Sequence, residues 1–117
     1  MYRLQYHTNL ASRWPEFPPG KQLMMVASEL NRAKNMTVRN DRNEARNALE
    51  RAFELLDLTI SQARTMGMLT ELHRFREVLA QLYVGHAYEA EEVQKLIKVL
   101  VSLDKDSFTA LYDTTTL

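Results

Sequence analysis

All three prolines of this chain stand at positions 15, 18 and 19, and beyond Gly20 the only glycines are Gly67 and Gly85. Strands are joined by tight turns, and tight turns draw on Gly and Pro for the backbone angles that other residues resist. A chain so poor in both past residue 20 is expected to be all-α. At 117 residues, 45% hydrophobic and 26% charged, it is long enough and apolar enough for one domain over residues 1–117 with a core of its own.

Apolar spacing divides the chain into an up-and-down bundle of four main helices. Leu23, Val26, Ala27, Leu30 and Ala33 recur at helical intervals and predict a first helix over about 20–36, entered from an extended leader, residues 1–19, that Pro18 and Pro19 end. Asn40 or Asp41 is a suitable N-cap, with Glu44 one turn in, for a second helix over about 40–66 that Gly67 stops. Its inner face runs through Ala45, Ala48, Leu49, Ala52, Leu55, Leu56, Thr59, Ala63 and Met66, widened by Phe53 and Ile60. Asn43, Asn47, Glu50, Glu54, Asp57 and Ser61 lie opposite, with Leu58 as an isolated surface residue among them. Thr70 can cap a third helix over about 70–84 that turns Leu72, Phe75, Leu79, Leu82 and Tyr83 inward. A fourth, over about 89–103, carries Val93, Leu96, Ile97 and Leu100, and breaks near Asp104 before a short C-terminal helix over about 105–112.

Composition excludes several chemistries outright. Without cysteine there are no disulfides, no thiolate metal ligands and no Cys nucleophile, which favours a cytoplasmic location. No segment approaches the roughly 20 apolar residues of a membrane span. The scarcity of Gly forbids both phosphate-binding glycine loops and the G-x-S-x-G nucleophile elbow. No cofactor and no enzymatic activity are expected.

Two patterns stand out as candidate sites. Fifteen basic residues balance fifteen acidic ones, yet Arg32, Arg39, Arg42 and Arg46 cluster where the first helix turns into the second. Guanidinium forks suit phosphate, so this corner is a candidate nucleic-acid contact. The five Asn of the same stretch, and Glu44 and Glu50 at helical spacing from the arginines, also fit plain capping and intrahelical pairing. His73 and Glu77, at i and i+4, place two metal-capable groups on one helix face, half of a metal site and the centre of a metal-binding or enzymatic alternative. His86 and Glu89 repeat the idea at i and i+3.

The run Trp14-Pro15-Glu16-Phe17-Pro18-Pro19 leading into a helix, followed later by Leu72-His73-Arg74-Phe75-Arg76-Glu77-Val78-Leu79, resembles the small four-helix-bundle proteins encoded in ribosomal-RNA intervening sequences and in diversity-generating retroelements. The resemblance implies a homo-oligomer, and for the retroelement members nucleic-acid binding by a basic surface, from which this neutral chain departs. The Arg and His of HEPN ribonucleases, separated by four to six intervening residues, have no counterpart here. The expectation is therefore a non-enzymatic interaction or accessory module that self-associates. The alternatives are a nucleic-acid-binding accessory protein and a metal-dependent bundle.

Overall fold

The computed structural model describes residues 9–85 and 88–104. A 3-10 turn, Trp14–Glu16, precedes helices α1 (Pro19–Val38), α2 (Arg42–Ser61), α3 (Met66–Gly85) and α4 (Ala90–Ser102), and no strand occurs among the described residues. Connections of a few residues turn each helix back on its predecessor, so the chain is the up-and-down four-helix bundle expected of it. α1 packs most extensively on α2 and next on α4, while α3 closes the ring with lighter contacts to α2 and α4. The expected helix over 105–112, and residues 1–8 of the leader, lie outside the described residues.

The α1–α2 corner has a full local explanation. Asn40 adopts a left-handed φ of 60°, with its N–H bonding Thr37 O at 3.0 Å and the next N–H, of Asp41, reaching back to Met36 O at 2.9 Å. This doubly bonded ending satisfies carbonyls the helix would otherwise leave open, and Asn tolerates the left-handed angle better than most residues. Asp41 then accepts from Glu44 N at 3.1 Å, capping α2.

Two boundaries differ from the sequence reading. α2 ends at Ser61 rather than Met66, because Thr59 Oγ1 donates to Leu55 O at 2.9 Å and Ser61 Oγ to Leu58 O at 2.6 Å while the backbone tightens into i to i+3 bonds at Gln62 and Ala63. α3 starts at Met66, capped by Thr65, whose Oγ1 accepts from Met68 N at 3.1 Å, so Thr70 lies inside the helix. Gly67 has no positive φ and stops nothing; it sits in the first turn of α3 with open space where a Cβ would stand.

The leader is also corrected in part. Among its described residues, 9–13 form turns and 14–16 a 3-10 turn, not an extended strand. Trp14 is buried against its own chain, with Nε1 donating to Thr59 Oγ1 of α2 at 3.2 Å and Phe17 set edge-on to its ring. An indole this large contributes several kcal/mol when buried, and its N–H needs a partner there. Thr59, placed on the apolar face by periodicity, supplies it.

The core otherwise follows the predicted faces. Leu23, Val26, Ala27, Leu30 and Ala33 of α1 meet Ala48, Leu49, Ala52, Leu55 and Leu56 of α2, closed by Leu72, Phe75 and Leu79 of α3 and Val93, Ile97, Leu100 and Val101 of α4. The alanines of α2 let α1 approach closely. Two residues of the supposed polar face depart from it: Glu54 is fully buried, and Leu58 is half-buried against the core, so α2 is enclosed around more of its girth than its apolar stripe. Met66, expected on the inner face, is 75% exposed because it belongs to α3.

Candidate functional site

Polar cross-links join neighbouring helices, and they absorb much of the chemistry the sequence displays. Arg51 of α2 donates through Nε to Glu29 of α1 at 2.6 Å in a largely buried pair. Arg76 of α3 holds Asp57 of α2 with two bonds, Nε at 2.6 Å and Nη2 at 3.2 Å, while its guanidinium lies over the Phe53 ring. Lys34 of α1 donates to Gln94 of α4 at 2.7 Å.

The Arg-rich corner divides into two parts. Arg46 is engaged: its Nε donates to the Tyr83 hydroxyl at 3.0 Å, Tyr83 donates in turn to Glu50 Oε2 at 2.6 Å, and Glu50 also lies 3.5 Å from Arg46. The hydrogen bond to Tyr83, reinforced by the charge of Glu50, raises the Arg46 pKa further above its ordinary value. Burial, then the bond to Glu50, raises that of Tyr83. Tyr88 sits beside this cluster, donating to the Tyr83 carbonyl at 3.0 Å, and burial raises its pKa too. Arg32 keeps only a loose contact of 3.8 Å with Glu29 and is mostly exposed.

Arg39 and Arg42 flank the left-handed turn, both exposed and with no side-chain ion pair or hydrogen bond among the described residues. The four arginines thus do not converge on one free surface. Arg39 and Arg42 remain available on either side of the turn, Arg32 is held only loosely, and Arg46 belongs to the α2–α3 seam. The pairing of Arg46 with Glu50 follows from i, i+4 spacing, whereas Tyr83, 37 residues away, leaves no local signal.

His73 and Glu77 are exposed on α3 and line a shallow groove with Thr70, Arg74, Arg76 and Ala80. No group of three or more metal-capable side chains gathers among the described residues, and His86 lies outside them. The two arginines of this groove are themselves paired, Arg74 with Glu71 at 3.1 Å and Arg76 with Asp57.

A more apolar recess lies at the opposite end of α2 from the Arg corner, between the 3-10 turn, the start of α1 and the α2–α3 connection. Its volume is about 180 Å³ and Phe17, Leu23, Ala63, Met68 and Leu72 line it. Sequence reading did not mark this recess, because it forms only when Trp14–Glu16 folds back on α2.

No helix among the described residues is long and apolar enough to cross a membrane. No protein-family model, curated protein or solved structure matches the chain.

Proposed function

We propose that the chain is a non-catalytic interaction or accessory module, cytoplasmic, that associates with copies of itself. The observation that carries this reading is α3. Apolar residues occur around most of that helix, yet only Leu72, Phe75 and Leu79 are buried. Leu69 and Ala80 are half-buried, while Val84 is 68% exposed and Val78 is 48% exposed. A helix apolar on several faces is ordinarily covered on several faces. By helical angle Met66, Leu69, Ala80 and Val84 fall along one flank of α3, as two apolar ends with the exposed His73 and Glu77 between them, and those ends are what a second copy would cover.

The resemblance to intervening-sequence bundle proteins leads to the same expectation of a homo-oligomer. The breadth of the α2 face no longer argues for it, since α1, α3 and the 3-10 turn cover that face within one chain. The test is the solution mass of the intact chain beside that of Val84→Glu. The reading expects an oligomer for the first and a shift toward monomer for the second, with helical content unchanged.

A second reading rests on Arg39 and Arg42. Two exposed arginines on either side of a helix–helix corner suit a phosphate backbone, which would make the module a nucleic-acid accessory protein. Gel-shift titration with RNA and DNA at two salt concentrations tests it. Binding through these residues weakens with salt and is lost in the Arg39→Ala/Arg42→Ala double variant, whereas no shift in low salt removes the reading.

A further inference from the structure

The outward side of α3 carries a regular stripe. Met66, Thr70, His73, Glu77, Ala80 and Val84 follow one another at intervals of four, three, four, three and four residues, on the side away from the buried Leu72, Phe75 and Leu79. Ala80 is half-buried and the other five are exposed. Alternating steps of three and four, about 3.5 residues on average, are the spacing with which one helix runs along another. Residues of α3 alone line the groove beside His73, so α1 and α4 contribute nothing to it.

The intervals are the same read from either end, with their centre level with Phe75. Laid antiparallel on a second copy, the stripe sets Met66 against Val84 of the partner subunit, Thr70 against the partner's Ala80 and His73 against the partner's Glu77. Apolar contacts then close both ends, and the small Thr70 and Ala80 let the helices approach between them. A parallel pairing would set each charged group against its own copy. The antiparallel one matches opposite charges twice.

Neither His73 nor Glu77 makes a side-chain ion pair or hydrogen bond among the described residues, although their i, i+4 spacing permits one. The charges around them are already matched, Arg74 with Glu71 at 3.1 Å and Arg76 with Asp57 of α2 at 2.6 Å. In the pairing each of these arginines comes near its own copy on a flank of the stripe, neutralised there by its own carboxylate.

We infer that α3 pairs antiparallel with α3 of a second copy about a twofold axis level with Phe75, joined by two intersubunit His73–Glu77 contacts. This rests on the reading that the chain self-associates through α3, and adds to it a direction, a register and a pH dependence. Histidine takes up its proton near pH 6.5, and only the imidazolium attracts a carboxylate. Association therefore strengthens as pH falls through that range.

The chain has no cysteine, so introduced ones report without background. Thr70→Cys and Ala80→Cys, made as separate proteins, are expected to form a disulfide-linked pair when mixed under mild oxidation, whereas neither does so alone. Sedimentation of the unmodified chain at pH 6 and pH 8 is expected to show roughly fourfold weaker association at the higher pH, about twofold for each exposed ion pair. His73→Gln removes that difference. Cross-linking of either cysteine protein with itself, or none in the mixture, overturns the register while light scattering still returns an oligomer. Equal association of the unmodified chain at the two pH values overturns the His73–Glu77 contact. A monomer at both overturns the inference together with the self-association on which it rests.

Discussion

Arg76 and Asp57, on successive helices and 19 residues apart, meet through two parallel hydrogen bonds of 2.6 and 3.2 Å, with the Phe53 ring beneath the guanidinium. This fork is one of the few features that fix how α3 lies on α2, since α3 buries only a narrow stripe. Both side chains remain partly exposed, so solvent screening keeps the pair's worth to about 1 kcal/mol. A double-mutant cycle with Asp57→Ala and Arg76→Ala, measured by urea denaturation, should return a coupling near that figure. A coupling under about 0.2 kcal/mol would mean the contact does not orient the helix.

Thr59→Val keeps the shape of the side chain beneath Trp14 but withdraws the acceptor of the indole N–H. A buried donor left unsatisfied costs about 1–3 kcal/mol. Denaturation followed by the fluorescence of the chain's single Trp should show a loss in that range with folded-state emission still blue. No loss would mean that the indole N–H reaches another acceptor, or water, in the folded chain.

Gly67→Ala separates the observed α2–α3 boundary from the one read off the sequence. In the first turn of α3, with negative φ and open space beside it, alanine should stabilise by roughly 0.4–1 kcal/mol by restricting the unfolded chain. A melting temperature that drops instead would point to a left-handed glycine ending α2.

Much of the core was legible because burial in a helix repeats: the faces of α1, α2 and α4 follow from spacing alone, and Asp41 carries a recognisable cap. The α2–α3 connection was not, because Ala63 and Met66 continue the apolar rhythm while the helix is ended by hydroxyl-to-carbonyl bonds from Thr59 and Ser61. Thr65 caps α3 without a Glu or Gln three residues on to announce it. Of the candidate arginines, only those whose partner lies one turn away could be recognised as paired. Arg46 with Tyr83 and Arg51 with Glu29 are meetings of distant segments, and nothing local encodes them.

Tyr83 gives the fold an alkaline limit. Its pKa is raised by burial and by its bond to Glu50, so the folded state holds the phenolic proton more tightly than the unfolded chain does. The stabilisation is fully present below the unfolded value of about 10 and is lost as pH rises through the higher folded value. Urea midpoints of the wild type should therefore fall more steeply above about pH 10 than those of Tyr83→Phe, which is less stable at neutral pH but lacks that titration. Parallel curves for the two proteins would contradict the assignment.

Self-association through α3 is the claim on which the functional reading depends. Light scattering coupled to size exclusion, at micromolar concentration, reads it directly. The account predicts a mass at least twice the 13.6 kDa of one chain, falling toward the monomer value for Val84→Glu; a mass of 13.6 kDa for the intact protein would contradict it.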